Sequence, residues 1–156
     1  LAAAATSVTI SGLTGNTDVL YRVRTRVVNG YDGAASYSIR PNNDTGSNYG
    51  NQYISGENTT VSANRSATDR LKYIGDAAAL NNLTQGEMLI YSKSGYVRTA
   101  ISEHTGGIAT TTVAGIQLNG LSWNNTIDEI TSMVILASQA NGLGVGTEIV
   151  LECLNL

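Results

Sequence analysis

The sequence predicts an all-β chain, folded as an antiparallel, jelly-roll-like β-sandwich, and three observations carry that expectation. Apolar residues recur with a period of two in run after run, the runs are short, and each is bounded by Gly, Asn or Ser. A chain of 156 residues suits one domain around one hydrophobic core. The division expected is an N-terminal arm over 1–7 and a single sandwich domain over 8–156. The arm has neither the basic segment nor the apolar length of a secretory signal, and it starts at Leu1 rather than Met, as a processed, truncated or excised chain does. It reads as a frayed terminus or as a segment that orders on a partner.

The first strand is expected over 8–13 and the second over 19–28, where Tyr21, Val23, Thr25 and Val27 alternate with Arg22, Arg24 and Arg26. Asn29 to Gly33 is turn chemistry, and 34–40 alternates again with Ala35, Tyr37 and Ile39 on one side. A hairpin closed by Val28 and Ala34 would match these apolar faces residue for residue. It would also set Arg22 opposite Arg40, Arg24 opposite Ser38 and Arg26 opposite Ser36. Opposed like charges call for an acidic neighbour, which Glu148 and Glu152 of the last strand, or another subunit, could supply. Further strands are expected at 52–55, 71–75, 87–93, 96–102, 108–118, 130–138 and 147–154, with 76–85 and 126–132 able to hold a helical turn. Pro41 follows a strand and breaks no ladder.

Charged residues are 13% of the chain and the net charge is −3, so the electrostatics of a nucleic-acid binder are missing. No run approaches the roughly 20 apolar residues of a membrane-spanning helix. Cys153 stands alone in an alternating run, which excludes an intrachain disulfide and suggests a buried, inert thiol. His104 is the single histidine, expected to be solvated near a strand end, and no Gly-x-Ser-x-Gly elbow exists. Carboxylates could still pair in space, yet none forms a telling cluster, so neither an enzyme nor a cofactor is expected.

Two loops invite a ligand. Trp123 with Asn124 and Asn125, and Tyr49 in a second loop, combine an aromatic plate with amides, which is what glycan recognition uses. The competing reading makes Trp123 a plug for the core of a chain without phenylalanine. Asn42 to Asn48 places oxygens around Gly46 as a Ca²⁺ loop does, but Asp44 is its one carboxylate and an Asx-rich turn is the simpler reading. Asn-x-Ser/Thr sequons at Asn43, Asn58, Asn64, Asn82 and Asn124 carry little weight in so Asn- and Thr-rich a chain.

The order of segments LYRVRTRVVNG, PNNDTGSNYGNQY, SGYVRT, WNNTIDEITSMVI and ANGLGVGTEIVLECL resembles a class of small β-sandwich virion proteins of tailed bacteriophages. The resemblance implies a structural, non-enzymatic protein, made in the host cytoplasm and placed on the virion. As a capsid decoration (cement) protein it would sit on the capsid exterior as a homotrimer and bridge major capsid proteins. Arg22, Arg24, Arg26 and Arg40 would then form the interface. The alternative is a tail-fibre or carbohydrate-binding module that meets host glycans through Trp123, Asn124, Asn125 and Tyr49.

Overall fold

The computed structural model describes residues 1–108 and 113–154. In chain order its elements are β1 (Ser7–Ser11), α1 (Gly15–Asp18), β2 (Leu20–Val28), β3 (Ala35–Pro41), β4 (Tyr49–Glu57), β5 (Thr60–Thr68), β6 (Leu71–Ala77), β7 (Leu83–Tyr91), β8 (Arg98–Ile108), β9 (Gly115–Trp123), β10 (Ser132–Ala137) and β11 (Glu148–Leu154). They form two antiparallel sheets, a four-stranded one ordered β1-β10-β3-β6 and a seven-stranded one ordered β11-β2-β7-β8-β9-β4-β5. The sheets pack face to face as a jelly-roll-type sandwich.

The alternation seen in the sequence is what builds the core. Tyr21, Val23 and Val27 of β2 meet Tyr37 and Ile39 of β3, Met88 and Ile90 of β7, and Met133 and Ile135 of β10. The sheets approach closely where β6 crosses β7: a Cβ on Gly86 would stand 2.0 Å from the Ile74 carbonyl oxygen. Glycine is required there by space.

The expected β2–β3 hairpin does not form. β2 pairs with β11 and β7, whereas β3 pairs with β10 and β6 in the other sheet. Matched apolar faces fit two strands stacked across a core as well as two strands side by side. The chain is drawn out of the large sheet by the 139–144 loop: Gly30 N–H donates to Gly142 O at 3.1 Å, and Gly144 N–H donates to Val28 O at 2.8 Å. A Cβ on Gly30 would meet the Asn141 carbonyl oxygen at 2.3 Å, so this crossing also needs glycine.

Other expectations shift too. Residues 76–85 hold no helical turn; β6 ends at Ala77, Asn81 takes φ 62° and β7 begins at Leu83. Residues 126–132 form a bend and the start of β10, and α1 is the single helix among the described residues. The strand expected over 108–118 falls in part on 109–112, outside the described residues, and β9 begins at Gly115. β5 was not expected. Cys153 is exposed, because β11 is the terminal strand of its sheet and Cys153 lies near its end. At the N-terminus, the Leu1 ammonium donates to Thr147 O at 2.5 Å and Ala5 pairs with Leu143 before β1 begins.

Candidate functional site

Positions that alternate with the core residues make up the outer face of the seven-stranded sheet, and the register fixes its layout. One row across all strands runs Val150, Arg24, Glu87, Glu103, Leu118, Ile54, Ala63. The row on one side of it runs Glu148, Arg26, Gln85, Thr105, Ile116, Gly56, Val61. On the other side come Glu152, Arg22, Leu89, Ile101, Gly120, Gln52, Arg65. The face therefore divides: β11, β2 and β7 carry charge, while β9, β4 and β5 carry aliphatic side chains. A groove of about 970 Å³ crosses the boundary, floored by β7, β8 and β9.

The charged half is compensated within the chain. Arg22 pairs with Glu87 at 2.8 Å, Arg24 with Glu152 at 2.7 Å and Arg26 with Glu148 at 3.9 Å. Glu87, bonded to Arg22, raises that guanidinium above its ordinary pKa. Glu103 lies directly across from Glu87 and has no ion-pair partner among the described residues. Arg40 does not belong to this ladder, because β3 lies in the other sheet. Its guanidinium bonds the Asp69 carboxylate, which Arg70 also holds at 2.6 Å. The hydrogen bond from Arg70, reinforced by Arg40, keeps Asp69 well below the usual carboxylate range.

The aliphatic half shows an inverted polarity. On β9, Ile116 and Leu118 face water at 60% and 49% exposure while Asn119 is buried. On β4, Ile54 is 51% exposed and its neighbour Ser55 is buried; on β8, Ile101 is 60% exposed and Ser102 is buried. Part of this inward polar layer is bonded internally, while the Asn51 amide and His104 Nδ1 are buried without a hydrogen-bond partner among the described residues. Ser102 Oγ donates to Tyr73 O at 2.8 Å, and Asn119 Nδ2 donates to Ser102 Oγ at 3.0 Å. His104 belongs to this interior layer. It is mid-strand and buried rather than solvated, with Nε2 3.4 Å from Asp76 Oδ1 and its ring stacked on Tyr73.

Trp123 is placed as the core reading requires and not as the glycan reading does. Trp123 is the last residue of β9 and is fully buried, and Tyr49 is buried against it with ring centroids 6.1 Å apart. Trp123 Nε1–H donates to Asp44 Oδ2 at 2.8 Å, and the Arg98 guanidinium lies 5.3 Å from the indole centroid. These two aromatics are core, closed to a sugar ring, because both point inward between the sheets. Asn125 is spent on its own turn, accepting from Ile127 N–H and Asp128 N–H and donating to Asp128. Asn124 is exposed. The 42–48 loop closes on itself as an Asx turn: Asp44 accepts from Gly46 N–H at 2.8 Å and Asn48 Nδ2 at 3.0 Å in addition to Trp123.

Ile54, Val61, Ile101, Ile116 and Leu118 were not among the residues singled out from the sequence. Their signal was present as the alternation Ile116-Gln117-Leu118-Asn119 and Ile101-Ser102. Read by the usual rule, that pattern turns the apolar side inward.

Fold and face together define an antiparallel jelly-roll-type sandwich whose larger sheet presents an open, half-apolar outer surface. No family model matches the chain. No curated protein matches it either. Among solved structures it is similar to CG-16, a homodimeric agglutinin from chicken liver, at 8% identity and TM-score 0.37, covering 92% of this chain and 99% of that one. It is also similar to alginate lyase A1-II′ at 9% identity and TM-score 0.32, covering 93% and 66%. A third likeness is to Scytalido-glutamic peptidase at 13% identity and TM-score 0.31, covering 86% and 64%.

Proposed function

We propose that the chain is a bacteriophage virion structural protein of the capsid-decoration type, seated on the major capsid protein through the outer face of the seven-stranded sheet. The observation that carries the docking is the inverted polarity of β4, β8 and β9. Ile54, Ile101, Ile116 and Leu118 point into water while Ser55, Ser102 and Asn119 are buried. A sheet face whose apolar side is left uncovered is suited to burial against another protein. At about 25 cal/mol per Å² of apolar surface removed from water, covering these side chains supplies the driving force of assembly. The Arg–Glu ladder beside them is already paired, so it contributes orientation and discrimination more than affinity.

Support for a capsid as the partner comes from the resemblance of the sequence segments to small β-sandwich proteins of tailed phages. The protein braces the shell by bridging neighbouring capsid subunits. The test is labelled-antibody localisation on intact virions: label over the head surface supports the reading. Label confined to the tail would favour a receptor-binding role, and absence from virions would count against both.

A further inference from the structure

The two sheets end in β1, β6, β11 and β5, and the first three carry features that discourage edge pairing. β1 has 5 residues. β6 is broken in register against β3 and holds Tyr73 at φ 60°. β11 carries Glu148 and Glu152. β5 lacks such protection: it runs 9 residues in unbroken register with β4, contains no proline, and has Arg65 as its one charge. Every residue from Thr60 to Arg65 is exposed.

The edge is oriented for pairing. Arg65 N–H donates to its neighbour's Asn64 Oδ1 at 2.7 Å, so this amide points away from β4. Directions alternate along a strand, so Val61, Ala63, Arg65 and Ala67 present N–H and C=O outward. The sequence Thr60-Val-Ser-Ala-Asn64-Arg-Ser-Ala-Thr68 is close to a palindrome in residue type. We infer that β5 pairs antiparallel with β5 of a second copy, about a twofold axis through Asn64, joining two seven-stranded sheets into one.

In that register Thr60 faces Thr68, Ser62 faces Ser66 and Val61 faces Ala67. Arg65 falls opposite Ala63 rather than another arginine, so no like charges oppose. The outward pairs Ala63–Arg65 and Val61–Ala67 exchange main-chain hydrogen bonds, and Arg65 N–H trades Asn64 Oδ1 for the partner's Ala63 carbonyl. This symmetry of polarity selects a second copy over an unrelated strand. The pairing leaves the outer face free and does not rest on the capsid reading.

Sedimentation velocity across a concentration series tests it. The wild type is expected to be a dimer at high concentration. Ala63→Pro, which removes an outward N–H and spares the β4 ladder, is expected to be a monomer with an unchanged circular dichroism spectrum. A wild type that stays monomeric or forms a trimer overturns the inference, as does a folded Ala63→Pro protein that remains dimeric. Should Ala63→Pro fail to fold, a cross-link decides. In a Cys153→Ser background, Asn64→Cys is expected to oxidise to a covalent dimer, since the opposed Cα atoms lie about 4.5–5.5 Å apart. Ser66→Cys, which faces Ser62, is expected not to, and equal cross-linking of the two overturns the register.

Discussion

Truncating Trp123 to Ala tests whether this end of the sandwich is core. The side chain is fully buried, stacks on Tyr49, carries the Arg98 guanidinium 5.3 Å from its centroid and donates to Asp44 at 2.8 Å. Removing a buried indole costs about 3–5 kcal/mol through lost transfer energy and the cavity left behind. Domains hold about 5–15 kcal/mol in total, and at this size each kcal/mol shifts the melting temperature by roughly 2–4 °C. The expected fall is therefore about 6–20 °C by calorimetry or thermal circular dichroism. Trp123→Phe separates the components: it restores a ring beneath Arg98 and leaves Asp44 short of one donor, at about 1.5–3 kcal/mol. A Trp123→Ala protein that melts with the wild type would refute the reasoning.

Asp69 makes acid sensitivity specific. Its folded pKa is depressed, so the Arg70–Asp69–Arg40 bridge contributes fully above the unfolded value near 3.9 and is lost as pH falls through the folded value. Melting temperatures of the wild type should fall more steeply between about pH 5 and about pH 2.5 than those of Asp69→Asn; parallel curves would contradict this. Glu103→Gln removes the like-charge opposition to Glu87 and should raise stability by a few tenths of a kcal/mol in denaturant titrations, against the loss expected if Glu103 made a favourable contact. Native Cys153 should label fully with a maleimide, but more slowly near neutral pH than a small free thiol, because partial burial and the Asp18 carboxylate both raise its pKa. Labelling only on denaturation would contradict the exposure.

What the sequence disclosed follows the physics of period two. Tyr21 to Val27 and Tyr37 to Ile39 turn apolar side chains inward as their alternation demands, and Glu148 and Glu152 do reach the arginine ladder. On β2 and β3 alternation told which side is buried but not which strand lies beside it, so both were legible as strands and not as members of different sheets. β5 stayed hidden because an exposed edge strand needs no apolar stripe; Thr60 to Thr68 contains Val61 as its one large aliphatic residue. The exposed aliphatic residues of the seven-stranded sheet were passed over, because alternation by itself points an apolar side inward, whereas β9 turns Asn119 inward and Leu118 outward. Hydrogen bonds linking Asn119, Ser102 and Tyr73, which join residues far apart in the chain, stabilise that orientation and leave no local signal in the sequence.

Occupancy on decoration-free heads, titrated at low and moderate salt, tests the docking most directly. Three proteins are compared: wild type, Ile116→Asp/Leu118→Asp, and Arg24→Ser/Arg26→Ser. Ile116 and Leu118 are exposed and Arg24 and Arg26 are about half-exposed, so both double variants should fold. The proposal predicts that the aspartate pair abolishes binding at both salt levels, while the serine pair weakens it modestly and chiefly at low salt. Wild-type occupancy by the aspartate pair would contradict docking through the apolar half of the seven-stranded sheet.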